Sequence, residues 1–80
     1  MNTYVATFHT HLSALMSDRS LKAKGVDSRM MPVPRKLSSS CGTCVRYRAD
    51  EPCLAEMDAD VEAVYEELDD GNYAQLMTNE

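Results

Sequence analysis

No stretch of this chain is long and apolar enough to span a bilayer, which argues against a membrane-spanning helix. The opening MNTYVATFHTHLSALM has no basic segment ahead of its apolar residues. It is therefore a poor secretory signal, and a cytoplasmic location with no membrane partner is expected. Tryptophan is absent and aromatics make up 6% of a chain whose net charge is −5, a balance that disfavours nucleic-acid binding. There is no Gly-rich phosphate loop and no convincing Ser-His-Asp arrangement, so a self-sufficient enzyme is not expected. Lys and Arg are missing altogether from Ala49 onward. Every one of the 8 lies between Arg19 and Arg48, and only Asp27 is acidic in that span. The chain thus has a basic middle and an acidic end. Either these are ordinary solvated faces, or the basic half serves an anionic ligand or thiolate while the acidic half docks a basic partner.

What is present fits one small domain over residues 1–80 with a thin core. Tyr4 to Thr10 reads as a buried strand, and Thr10 as the N-cap of a helix running to about Lys24. Leu12, Ala14, Leu15, Met16 and Leu21 give that helix an imperfect apolar face, and Gly25 suits its C-terminus. Val26 to Val33 reads as a second strand that Pro32 and Pro34 end or place at an edge. A serine-rich loop and a third strand, Thr43 to Arg48, follow. Leu54, Met57, Val61, Val64, Tyr65 and Leu68 recur at helical spacing between Pro52 and Gly71, which predicts a second, acidic helix. Tyr73 to Met77 is a short last strand. The order β-α-β-β-α-β implies a ferredoxin-like α+β sandwich, a four-stranded antiparallel sheet with two helices on one face.

The chemistry concentrates in RKLSSSCGTCVRYR, residues 35 to 48. Without a secretory signal, the 3 cysteines are expected to be free, metal-bound or catalytic rather than paired. The Cys41-x-x-Cys44 motif has three readings. A thioredoxin-type pair needs a strand running into a helix, whereas TCVRYR continues as a strand, with Cys44 facing away from Val45. Zinc would need Cys41, Cys44 and Cys53 with His9 or His11, an irregular set. The third reading is a single working thiol, Cys41. Arg35, Lys36, Arg46 and Arg48 flank it in sequence, and nearby positive charge favours a thiolate. Ser39 and Ser40 offer hydroxyls to a bound sulfur, and Gly42 lets a partner's backbone approach. The serines read equally as a plain polar turn. Cys53 reads as a small apolar residue.

The opening strand, Thr10, Gly25, Pro32-Val33-Pro34-Arg35 and Ser39-Ser40-Cys41-Gly42 together resemble a family of small bacterial selenium/sulfur carrier-like proteins. The likeness is good over residues 4 to 48 and looser beyond. It implies that Cys41 is the carrier residue, holding a persulfide or perselenide, and that no cofactor is needed. It also implies a donor protein of the cysteine desulfurase type and an acceptor enzyme as partners. Cys44 is then a helper, a possible resolving thiol. The rival expectation is a small ferredoxin-like binding module with a thiol-ligated metal or a redox-active CxxC.

Overall fold

The computed structural model describes residues 1–79. Its elements run β1 (Asn2–Phe8), α1 (His11–Ala23), β2 (Asp27–Pro32), β3 (Thr43–Ala49), a 3-10 turn (Leu54–Glu56), β4 (Val61–Glu67) and β5 (Tyr73–Thr78). The strands form a single 5-stranded antiparallel sheet in the order β2-β3-β1-β4-β5. The ferredoxin-like expectation is overturned. Among the described residues α1 is the one α-helix, and the segment expected to be the second helix is the 3-10 turn followed by β4.

A β-bulge explains the misreading. Along β1 and β4, Thr7 pairs with Ala63 but Phe8 pairs with Val61, so Glu62 is an extra residue in β4. In a regular strand, positions 61 and 64 would face opposite ways. The inserted residue returns Val61 to the face occupied by Val64, and both join the same core. A spacing of three on one face is a helical signature, here produced by a bulged strand. β-branched Val61 and Val64 and aromatic Tyr65 favour the extended form. Gly71, expected to stop a helix, instead has φ 83° in the β4–β5 turn, where its amide bonds the Leu68 carbonyl.

The other boundaries follow local chemistry. The Thr10 hydroxyl accepts from the Ser13 amide at 3.1 Å and caps α1. At the far end Gly25, with φ 79°, donates to the Lys22 carbonyl while Val26 donates to Leu21. That is the Schellman closure, and Val26 packs on the core beside it. Pro32 ends β2, which is an edge strand.

The two sheet faces are covered differently. Tyr4, Ala6, Phe8, Val45, Tyr47, Ala49, Val61 and Val64 point to α1. The helix buries a narrow stripe of Ser13, Ala14, Ser17, Asp18 and Leu21, leaving Leu12 and Met16 exposed. Its polar members are partnered. Ser13 Oγ donates to Asp58, Ser17 Oγ accepts from the Asp58 amide, and Asp18 accepts from Ser28. Small side chains let the helix lie close to the sheet, and the satisfied hydroxyls remove the cost of burial.

On the opposite face Val5, Thr7, Cys44 and Ala63 are also buried. The Val33–Gly42 loop runs across this face. It is closed at its base by Val33 N to Gly42 O at 3.1 Å, and its Lys36 Nζ reaches Gly71 O at 3.0 Å and Asn72 Oδ1 at 3.2 Å. Beside it the Arg46 guanidinium crosses β1 to Glu67, with bonds of 3.0 and 3.3 Å, and Arg46 is the direct cross-strand neighbour of buried Val5.

Candidate functional site

The Ser39-Ser40-Cys41-Gly42 turn sits where the loop returns to β3, beside the end of β1 and the start of β4. Ser39 Oγ donates to the Phe8 carbonyl at 2.8 Å. Ser40 is held twice by Glu62, its amide donating to Oε1 at 3.0 Å and its hydroxyl to Oε2 at 2.7 Å. Gly42 has φ 74°, a left-handed conformation that disfavours side chains, although an added Cβ would meet nothing within 4 Å. The positive φ alone is enough to favour glycine here.

Cys41 is half-buried and packs against the helix-side core. Its thiol donates to the Thr43 carbonyl at 3.5 Å and lies 3.8 Å from Ser39 Oγ. Thr43 Oγ1 in turn meets His11 Nδ1 at 3.3 Å, which ties the turn to the first residue of α1. Ser39 is thus the serine that touches the thiol, and Ser40 the one that anchors the turn.

Cys44 lies inside β3 facing away from Val45, as the strand reading expects. It is fully buried on the loop-covered face, its thiol directed to the Pro32 carbonyl at 3.7 Å. Burial pushes this thiol up to about 11, with charge on Cys41 adding to the rise and Arg46 opposing it. Cys53 stands at the entry to the 3-10 turn in a left-handed conformation, φ 53°, with its thiol on the Glu51 carbonyl. Burial, then the charges of Glu51 and Glu56, raise its pKa. All three thiols are free. Among the described residues no group of three or more His, Cys, Asp or Glu side chains is placed to hold a metal ion, so the Cys41, Cys44, Cys53 and histidine set is not brought together.

Two of the basic residues that flank Cys41 in sequence have partners of their own. Arg46 is committed to Glu67, Lys36 to the β4–β5 turn, and Arg35 is exposed on the loop. The charged side chain that meets the cysteine turn is an acid, Glu62, which also lies 3.4 Å from His9 Nδ1. Burial works against ionisation of Glu62, but the two bonds from Ser40, with the Ser39 hydroxyl and the charge of His9 nearby, outweigh it and hold the carboxyl below the usual range. Sequence reasoning placed Glu62 on a solvated helix face. The bulge that redirects it is written in no local motif.

This geometry defines a class: a small sheet domain presenting one half-buried thiol on a serine-lined turn. The chain belongs to the family described as Putative Se/S carrier protein-like, which matches residues 3–72. No curated protein and no solved structure matches it significantly. Among the described residues no helix is long and apolar enough to cross a membrane.

Proposed function

We propose that the protein carries sulfur or selenium on Cys41 in the cytoplasm, between a donor of the cysteine desulfurase type and an acceptor enzyme. The observation that carries this reading is the position of Cys41, the partly accessible thiol on the Ser-Ser-Cys-Gly turn inside the stretch shared with the carrier-like family. In loading, the Cys41 thiolate attacks the outer sulfur of a donor persulfide. The new bond joins Cys41 sulfur to that outer sulfur, the donor's sulfur–sulfur bond breaks, and the donor cysteine leaves as a thiolate. No net oxidant is consumed. The Ser39 hydroxyl lies 3.8 Å from the thiol, and because its one proton is donated to the Phe8 carbonyl it would have to leave that bond to donate to the added sulfur. The thiolate is the nucleophile, and a buried thiol with a raised pKa is a poor one. Cys44 is therefore assigned no part in loading.

Incubation with a cysteine desulfurase and cysteine, followed by peptide mapping, should place a persulfide on Cys41. Cys41→Ser should abolish the label, and Cys44→Ser and Cys53→Ser should retain it. Absence of label on every cysteine, with bound zinc found in the purified protein, would replace this reading with the metal-binding module.

A further inference from the structure

We propose that Glu62 is the positioning residue that holds the Cys41 turn in its inward, closed arrangement, and that the thiol is presented to a partner when this latch is released. The proposal takes its meaning from the carrier reading but stands on separate observations.

The first is the bulge. An extra residue in one strand of an antiparallel pair re-aims a side chain, at the expense of a regular ladder. In β4 that residue is Glu62, at the end of the strand that meets the cysteine turn. The second is the bond pattern. The Glu62 carboxylate accepts both the amide and the hydroxyl of Ser40, the residue before Cys41, through its two oxygens. Charge-assisted, two-point contacts of this kind fix orientation as well as distance.

The third observation concerns what else holds the turn. Under Ser38 lies a polar cavity of about 110 Å³, lined by Thr7, His9, Glu62, Tyr65 and Gln75 among others. The Thr7 hydroxyl beneath the loop is buried without a hydrogen-bond partner. The loop is thus not sealed onto the sheet by apolar packing at this point. Between the Lys36 contacts and the Val33–Gly42 bond at its base, it is held to the sheet by Ser39 to Phe8 and Ser40 to Glu62, with Cys41 packed on the core beside them. Segments held in this way open locally at low cost, well below global unfolding. In the closed arrangement the Cys41 thiol is turned onto the Thr43 carbonyl and packed on the core. Loss of the Glu62 contacts frees the residue next to it.

The test is the rate of Cys41 alkylation by iodoacetamide, followed by mass spectrometry in a Cys53→Ser background. Glu62→Ala should accelerate it about tenfold by raising the open fraction. Glu62→Gln, which keeps an acceptor oxygen for Ser40, should return the rate most of the way to wild type. Ser40→Ala attacks the same contact from the loop side and should also accelerate alkylation. Combining it with Glu62→Ala should add little, because the hydroxyl bond that Ser40→Ala removes is already lost with the carboxylate. Should Glu62→Ala fail to fold, Ser40→Pro, which removes both the amide and the hydroxyl donor, decides together with Ser40→Ala. Wild-type rates in either single variant, or full additivity in the double, overturn the latch. The two readings separate cleanly. Unchanged alkylation with intact desulfurase loading removes the latch and keeps the carrier. Faster alkylation without loading keeps the latch and removes the carrier.

Discussion

At the scale of single residues, three chemically identical side chains are made different by their surroundings. Cys41 is partly exposed on a turn, Cys44 is sealed beneath a loop, and Cys53 sits among acids. A thiol reacts as its thiolate, so burial and negative neighbours both slow it. Titration of the native protein with a disulfide reagent at mildly alkaline pH should therefore modify Cys41 first, Cys53 more slowly, and Cys44 only on unfolding. Labelling of native Cys44 as fast as Cys41 would show that the loop opens far enough to expose the second sheet face. The same contrast bears on the CxxC motif. Alternation along β3 puts Cys44 on the face opposite Val45, whereas Cys41 packs on Val45's side of the sheet.

At the scale of elements, the second sheet face shows how a thin domain covers itself with few atoms. A loop and one ion pair take the place of a second helix over Val5 and Thr7. The Arg46–Glu67 pair is partly exposed, so its Coulomb energy is modest; Glu67→Gln should cost no more than about 1 kcal/mol. Arg46→Ala should cost more, about 1–2 kcal/mol, because it also strips the aliphatic stem from Val5. Urea denaturation of both variants checks the order, and equal losses would mean that the stem does not shield Val5. Arg46 thus has a packing duty beside its charge, which opposes the rise in the Cys44 pKa.

At the scale of the whole molecule, shifted groups set a pH range for stability. Glu67 is held below the usual range by its bond from Arg46, and Asp58 by its bond from Ser13. Glu62 is also lowered, its donors outweighing burial. On unfolding these carboxyls return to ordinary values near 4, so the unfolded chain binds more protons as the pH drops. Their contribution is complete above that value and is lost as pH falls through the depressed native values. Cys44 acts at the other end. Its thiol stays protonated in the native state up to about 11 against a reference of 9.0, so stability falls as pH rises between those values. Urea midpoints measured from pH 3 to pH 11 should show a plateau between these limits. Cys44→Ala should remove its share of the alkaline decline. A midpoint that stays level below pH 4 would count against the carboxylate contacts.

The sequence by itself determined what depends on neighbouring residues. Thr10 as a helix cap, Gly25 as its left-handed terminator, Pro32 as the end of an edge strand, and the strands around Val5, Val45 and Ala74 are set by local bonds and side-chain shape. The Ser-Ser-Cys-Gly turn and its family were legible for the same reason, being contiguous. Only the tertiary structure decided the state of residues 54 to 68. Val61 and Val64 satisfy a helix and a bulged strand equally well in sequence, and pairing with β1 across more than fifty residues breaks the tie. That long-range pairing also carries Glu62 to Ser40 and Arg46 to Glu67. No spacing rule contains those contacts, because each joins residues that meet only after the sheet has formed.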